Sequence, residues 1–311
     1  MALSRSTRMT ALAQNIRAVR FHLMTLFLFT KTDFKAVILP QSLFALAIFP
    51  MRVQSGLEPR YLSGFIPPRM PYAVAWLWLH LLVENISNQR LPASILEDKA
   101  NKPWRPIPSG RLTAAEAKGL LRALVPLALL ASVLMGSFTP SAALLTLIWL
   151  YNDLEGSSID PLQRNVINAA AFACFGWGGA GVLLSGSSEN EELQRNWGVL
   201  TTAAVMSTIH VQDFPDMVGD TASGRRTAPL VYGEGLARWS LAVLVPSWSI
   251  ACLVFWGVPL LAWVALLGMA SIIAAFTLTR RYYASDELVW KLWCFWLCVV
   301  YLLPLFSNRM E

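Results

Sequence analysis

Three aspartates at helical spacing are the residues of this sequence that most directly suggest chemistry. Asp213, Asp216 and Asp220 follow an apolar stretch, and they would lie within about 60° of one another on one helix face. Each ionised Asp facing lipid would cost about 3 kcal/mol, so we expect all three to face a wet cavity. Oxygen ligands with no His or Cys among them suit Mg²⁺, which keeps several waters and bridges to phosphate oxygens.

The residues that follow supply positive charge. Pro215 removes a backbone donor inside the motif and, with Gly219, predicts a loosened helix. The basic turn Arg225-Arg226 comes next. A diphosphate needs both kinds of group, because a metal bridges its oxygens and arginine takes the remaining charge. The segment therefore favours a diphosphate site, with an ordinary helix end solvated by headgroup water as the alternative.

A second polar segment, from Glu84 to Arg111, closes an earlier apolar stretch. Its end holds three prolines in six residues, which predict a stiff, extended strap that fixes the direction of the basic side chains. A plain connecting loop is the alternative. The candidate ligands in this segment are Asn88, Gln89, Asp98, Lys102 and Arg105.

Other polar groups lie near the ends of neighbouring apolar stretches. Tyr151 ends one stretch, and Arg164 and Asn168 open the next. Their positions suit contacts with a diphosphate or with the pocket, and solvation of helix ends would explain them as well. His210, one turn before Asp213, is either a satisfied helix histidine or a base that lines the pocket.

Composition indicates which elements position these residues. Only 14% of the residues are charged and 55% are apolar, whereas soluble domains average about 25% charged residues. About 20 apolar residues cross a bilayer as a helix. The sequence therefore predicts an all-α, polytopic membrane protein with nine transmembrane helices. The predicted spans are residues 34–51, 71–89, 116–135, 138–153, 166–185, 197–214, 236–256, 258–278 and 288–306.

The basic residues predict the orientation of these spans. The net charge of +6 comes from Lys and Arg between the apolar stretches, which makes nucleic acid a poor partner. The positive-inside rule places the N-terminus and both polar segments in the cytosol. Residues 1–33 are predicted to be a basic cytosolic segment on the membrane surface, with a mitochondrial transit peptide as the alternative, and 34–311 a single transmembrane domain. The four cysteines lie in apolar stretches and are expected to be reduced.

The two polar segments together resemble the UbiA superfamily of intramembrane prenyltransferases. The second motif of that family, Asp-x-x-Asp-x-x-x-Asp followed by Gly-Lys/Arg-x-Thr, matches Asp213 to Thr227 at every position. The strap of its first motif matches Arg105 to Gly110. The first motif otherwise departs from the family: Gln89 stands where an Asp follows the Asn, and the middle Asp is missing. This pattern resembles a fungal branch that includes UbiA-type sesquiterpene cyclases. The residues left to hold or orient a second metal are Asn88, Gln89, Glu97 and Asp98.

The resemblance implies a Mg²⁺-dependent enzyme that ionises an isoprenoid diphosphate in a central cavity with a polar mouth. A terpene cyclase that converts farnesyl diphosphate to a sesquiterpene in secondary metabolism is the favoured interpretation. A prenyltransferase that acts on an aromatic or other lipophilic acceptor is the alternative, and an ion or diphosphate transporter is a more remote one. The implied catalytic residues are Asp98, Asp213, Asp216 and Asp220, and the implied metal ligands are these four and Asn88. The implied substrate-binding residues are Asn88, Gln89, Lys102, Arg105, Arg225, Arg226, Tyr151, Arg164 and Asn168.

The resemblance also bears on location and partners. We expect a multi-pass protein of the endoplasmic reticulum, with the mouth of the active site in the cytosol. The expected partners are the isoprenoid diphosphate, the lipid bilayer and downstream pathway enzymes at the same membrane.

Overall fold

Helices form the secondary structure of the described chain. The computed structural model describes residues 5–52, 67–183 and 191–307, and these residues contain no strand. The ends of two predicted segments, residues 1–4 and 184–185, lie outside this range. The α-helices are α1 (Arg5–Thr30), α2 (Leu39–Arg52), α3 (Met70–Gln89), α4 (Pro92–Asn101), α5 (Ala114–Met135), α6 (Phe138–Asn152), α7 (Pro161–Leu183), α8 (Glu191–Thr208), α9 (Asp213–Ser223), α10 (Ala228–Val231), α11 (Glu234–Trp256), α12 (Leu260–Thr279) and α13 (Tyr283–Leu302).

The all-helical membrane fold predicted from composition is confirmed, but the count of nine spans is not. Five helices of the described residues are long and apolar enough to cross a bilayer: α5, α7, α11, α12 and the segment Tyr283–Phe306. A sixth would result if Gln14–Thr30 and Phe34–Phe49, which meet at 63°, formed one bent span. The other predicted spans are helical, but α6 has only 15 residues and α3 and α8 carry many polar side chains. Sequence reasoning counted these helices as spans although α6 is short and many polar residues of α3 face the bundle.

Tight helical hairpins lie between the predicted spans 116–135 and 138–153 and between 236–256 and 258–278, which are separated by two residues and one residue. Gly136, with φ of 77°, ends α5 in the left-handed conformation, and the Ser137 amide donates back to the Ser132 carbonyl. Gly257, with φ of 60°, ends α11 in the same way. A residue with a Cβ would be strained at either position, so glycine permits the reversal.

Buried tryptophans hold the bundle together through hydroxyl partners. The indole N–H of Trp76 donates to Ser132 at 2.7 Å, and that of Trp293 donates to Thr208 at 3.0 Å. A buried indole needs such a partner, and hydroxyl groups on a facing helix supply it without an exposed polar surface. Thr208 is the last residue of α8, so this bond fixes the helix end that leads into the aspartate motif.

The basic N-terminal segment includes α1, which packs beside α3. The Trp78 indole donates to Thr30, and the Gln89 amide donates to the Phe29 carbonyl at 2.9 Å. Several apolar side chains of α1 are nevertheless exposed, among them Ile16, Val19 and Leu23. This distribution is typical of a helix that meets lipid on one side.

Candidate active site

The three aspartates lie on one short helix that follows a change of direction. After α8, a 3₁₀ turn over Ile209–Gln212 leads directly into α9, which begins at Asp213. Pro215 lies in the first turn of α9, where its missing N–H has no helical acceptor to lose. The helix is α-helical from Asp213 onward, and the departure from α-helical geometry lies in the 3₁₀ turn directly before Pro215. His210 in the 3₁₀ turn is buried against the Ala237 carbonyl at 3.1 Å, which supports the satisfied-histidine interpretation.

Gly219 also has a different role from the one predicted. A Cβ at this position would lie 2.3 Å from Nδ2 of Asn101 and 2.9 Å from Cγ of Glu97, both on α4. Glycine therefore allows α9 and α4 to pack in close contact, instead of loosening α9. Asn101 in turn donates to the Asp216 carbonyl at 3.3 Å. The two polar motifs are thus joined directly, helix against helix.

The second correction concerns the proline-rich strap. Residues 92–101 form the helix α4, and Lys102 to Arg111 form successive turns instead of an extended strand. The amide of Arg105 donates to Lys102, that of Ser109 to Arg105, and that of Arg111 to Pro106. Prolines limit φ but do not oppose turns. These turns place Lys102 against Asp216 on α9 and return Arg105 to Asp98 on α4.

Ion pairs connect the motifs and give most of their acids a basic partner. Lys102 Nζ lies 2.9 Å from both carboxylate oxygens of Asp216, which links the strap to α9. The other pairs are Arg225 with Glu97 at 2.7 Å, Arg105 with Asp98 at 2.7 Å, Arg164 with Asp213 at 2.9 Å and Arg225 with Asp220 at 3.5 Å. In a setting of low dielectric, such pairing offsets the cost of burying each charge.

The carboxyl groups nevertheless differ in how readily they ionise. Burial raises the pKa of Asp98 to about 6, although Arg105 opposes the shift. Burial also raises the pKa of Asp220 to about 7, against the attraction of neighbouring arginines. For Asp216, burial opposes ionisation too, but the attraction of Lys102 outweighs it and holds the pKa below its ordinary value. Additional positive charge would therefore stabilise the charged forms of Asp98 and Asp220.

A cavity of about 150 Å³ opens between the motifs. Along α3 and α7, its polar lining residues lie nearer the helix ends that carry the motifs, and its apolar lining residues lie deeper. The polar lining is Asp33, Glu84, Asn85, Asn88, Glu97, Lys102, Arg105, Tyr151, Asn168, Gln212, Asp216 and Arg225. The apolar lining is Ala36, Val37, Leu81, Ala171, Phe172, Phe175 and Trp290. The cavity thus combines a charged mouth with an apolar floor.

The predicted site residues fall into three groups. Asn88, Lys102, Arg105, Tyr151, Asn168, Asp216 and Arg225 line the cavity. Asp98, Asp213, Asp220 and Arg164 are buried beside it in the ion pairs. Gln89 and Arg226 lie elsewhere: Gln89 donates to Phe29 and Asn85, and Arg226 is exposed to solvent.

Sequence reasoning did not predict Asp33, Glu84 and Gln212 as lining residues. Glu84 precedes Asn88 by four residues on α3, so helical spacing contains a usable signal for it. Asp33 belongs to neither motif. It follows the bend after α1 and comes within 3.9 Å of Arg105 only through the tertiary fold.

Carboxylate oxygens without a hydrogen-bond partner indicate whether Mg²⁺ fits this site. One carboxylate oxygen in each of Asp98, Asp213 and Asp220 is buried without a hydrogen-bond partner. Within the described residues, no three acidic, His or Cys side chains form a complete metal site by themselves. Mg²⁺ binds through one or two carboxylates and completes its shell with water and phosphate oxygens. These residues therefore fit Mg²⁺ together with a phosphorylated ligand.

A buried arginine outside the cavity supports α9 from behind. The Arg238 guanidinium stacks over the Phe214 ring at 4.4 Å and binds both oxygens of Asp286, at 2.8 and 2.9 Å. It also donates to Glu234 at 2.7 Å. Phe214 is the neighbour of Asp213, so this network positions the aspartate motif without lining the cavity.

The helical bundle and its charged cavity define an integral membrane protein with an oxygen-rich, anion-compatible site at one end. The chain belongs to the UbiA prenyltransferase family, whose model matches residues 62–299. It is 32% identical to the fumagillin beta-trans-bergamotene synthase of Aspergillus fumigatus over 92% of this chain and 93% of that protein. It is 29% identical to a diterpene cyclase of Hericium erinaceus over 66% of this chain and 63% of that one.

Solved structures show the same fold. A digeranylgeranylglyceryl phosphate synthase superimposes with a TM-score of 0.62 at 16% identity, covering 92% of this chain and 98% of that one. A UbiA homologue from Archaeoglobus fulgidus, described as bound to GPP and Mg²⁺, gives a TM-score of 0.60 at 11% identity and covers 90% of this chain and 99% of that one. The UbiA resemblance of the two motifs is thereby confirmed, and the chain is an enzyme of this superfamily.

Proposed function

We propose that this enzyme is a Mg²⁺-dependent terpene cyclase that converts an isoprenoid diphosphate, farnesyl diphosphate above all, to a hydrocarbon. The observation that carries the proposal is the convergence of both motifs on one cavity whose mouth is ionic and whose floor is apolar. An isoprenoid diphosphate likewise has a charged end and an apolar chain. The similarity to terpene synthases and cyclases supports cyclisation over other fates of the prenyl group.

The roles of the residues follow from their positions. Asp213, Asp216 and Asp220, together with Asn88 and Asp98, would hold Mg²⁺. When bound, the metal would stabilise the negative charge that develops on the diphosphate as the C–O bond breaks. Lys102, Arg105 and Arg225 line the mouth, and they would bind the diphosphate oxygens that remain.

The floor of the cavity would receive the hydrocarbon. Leu81, Phe172, Phe175 and Trp290 present no nucleophile to an allyl cation, and aromatic faces stabilise such a cation by about 1–2 kcal/mol when water is excluded. Attack by the distal double bonds of the chain itself is then the remaining route. Tyr151 and Asn168, at the boundary between polar and apolar lining, would orient the diphosphate end.

The decisive experiment supplies the enzyme in nanodiscs with farnesyl diphosphate and Mg²⁺ but no acceptor. A hydrocarbon released together with diphosphate is the expected result. Diphosphate release that requires an added aromatic or lipophilic acceptor would instead support the prenyltransferase alternative, which the 28% identity to a polyprenyl transferase of Hericium erinaceus favours. If neither condition releases diphosphate, the proposal is wrong.

We further propose that the mouth faces the cytosol at the endoplasmic reticulum, where downstream pathway enzymes at the same membrane would receive the product. Residues 1–33 would then be a cytosolic basic segment, and residues 34–311 one transmembrane domain. The positive-inside rule supports this orientation. Glycosylation sites inserted after residue 112 should remain unmodified if it is correct, and modification there would contradict it.

A further inference from the structure

A second, smaller cavity lies deeper in the bundle, beyond the apolar floor of the first. It measures about 10 Å³, and its lining includes Phe44, Ala173, Gly176 and Tyr301. Phe172 is the one residue of the described chain that lines both cavities. The ring of Phe172 therefore forms the partition between them.

The spacing along α7 shows how deep this partition lies. Asn168 lines the mouth cavity, Phe172 lies one turn further on, and Gly176 lines the second cavity after one more turn. At 1.5 Å per residue, each step is about 6 Å along the helix axis. Ala169 also lines the second cavity and Phe175 also lines the first, so the two cavities overlap along α7 and Phe172 lies between them.

Neither cavity alone is large enough for a long prenyl chain. Pockets for ligands of drug size measure about 300–1,000 Å³, and the mouth cavity of about 150 Å³ must also take the diphosphate. The second cavity is about the size of one water. The space for a longer hydrocarbon must therefore come mainly from removal of the Phe172 side chain between the two cavities.

The far wall of the second cavity is held by contacts between aromatic rings, which Phe172 does not make in the described residues. The Phe44 ring packs edge-on against Trp177 at 5.3 Å and Tyr301 at 5.0 Å. A Cβ on Gly176 would come within 2.9 Å of the Phe44 ring, so this wall has no room for a larger side chain. Phe172, by contrast, is half-buried and makes no ring contact with another aromatic side chain in the described residues. Space can thus be gained at Phe172 but not behind the second cavity.

We propose that Phe172 is a specificity-determining residue that sets the length of prenyl chain the enzyme accepts. The inference rests on the proposed function, because it takes an isoprenoid diphosphate as the substrate. With the phenyl ring in place, the distal isoprene unit of a C15 chain ends against it. Without the ring, the two cavities merge along α7 and admit the additional unit of a C20 chain.

The test compares wild-type enzyme with Phe172→Ala and Phe172→Leu in nanodiscs, with C15 and C20 prenyl diphosphates supplied in competition. Diphosphate release and products are measured for each chain length. We expect the ratio of kcat/KM for C20 over C15 to rise at least tenfold in Phe172→Ala and by less in Phe172→Leu. Phe255→Ala is the matched control, since Phe255 is also half-buried but lines neither cavity, and it should leave the ratio unchanged.

The outcomes separate this inference from the function on which it rests. If Phe172→Ala or Phe172→Leu still uses the C15 substrate but shows the wild-type ratio, the inference is overturned and the proposed function stands. An equal shift in Phe255→Ala would also overturn it, because general loosening would then explain the effect. If wild-type enzyme releases diphosphate from no chain length, the proposed function fails and this inference fails with it.

Discussion

The substitution Asp98→Asn should stabilise the metal-free protein while it impairs turnover. Asp98 is buried, and its pKa is raised from an ordinary value of 3.8 to about 6 even with Arg105 beside it. Between these two values the folded state binds more protons than the unfolded state, so stability falls as the pH rises and levels off above pH 6. The full loss is about 3 kcal/mol, because each pKa unit corresponds to about 1.4 kcal/mol. Asn resembles the protonated carboxyl and avoids that loss.

The assay is reversible unfolding in mixed micelles with EDTA, at pH 8 and at pH 5. At pH 8, Asp98→Asn should raise the free energy of unfolding by up to about 3 kcal/mol, and at pH 5 by about half as much. Diphosphate release should fall at the same time, because the proposed function gives Asp98 a place in the metal site that it would hold at a cost to stability. A variant that is less stable than wild type at pH 8 would refute the reasoning, since the ion pair with Arg105 would then outweigh the burial of Asp98.

The remaining predictions concern residues around the same site. Asp216→Asn should lower stability, since a lysine partner holds this pKa below its ordinary value, and should reduce kcat/KM by about 10²–10³ in the diphosphate-release assay. Arg238→Met should cost about 3–5 kcal/mol of unfolding free energy by leaving Asp286 unpaired, and Asp286→Leu in the same chain should recover most of it. Gly219→Ala should cost about 1–3 kcal/mol through its clash with α4, whereas Gly235→Ala, with nothing within 4 Å, should cost nothing. Calorimetry should show inorganic diphosphate binding at least tenfold more tightly with Mg²⁺ than with EDTA. Equal affinities would contradict the expectation that metal and diphosphate bind together.

The sequence was sufficient for the helical class and the hairpins, because both depend on local signals. Apolar stretches mark helices, and a glycine between two of them marks the left-handed residue that reverses the chain, as at Gly136 and Gly257. Hydropathy did not distinguish a helix that faces lipid from one that is buried by its neighbours. Helix α3 shows this. Its polar residues His80 and Asn85 are buried, so a helix too polar to face lipid can still pack inside the bundle.

The site was predictable where its residues form a motif and unpredictable where tertiary contacts decide. Helical spacing correctly placed Asp213, Asp216 and Asp220 on one short helix. The conformation between the motifs could not be read from the prolines, because a fixed φ near −65° is compatible with turns as well as with an extended chain. Asp33 carried no local signal, since its place in the cavity depends on a bend that positions it near Arg105.

The ion pairs at the mouth predict that metal and diphosphate bind in a coupled way. At the mouth, Lys102 and Arg105 each lie within 3 Å of a carboxylate oxygen, so a phosphate oxygen bound there would compete with an acid for the same positive charge. An acid released in this way would be left as a buried, uncompensated charge, which is strongly unfavourable. In the proposed function, Mg²⁺ would replace the lost positive charge, and the diphosphate would supply the ligands that the protein lacks. Each therefore lowers the cost of binding the other, and because such coupling is reciprocal, metal and diphosphate should bind as a unit.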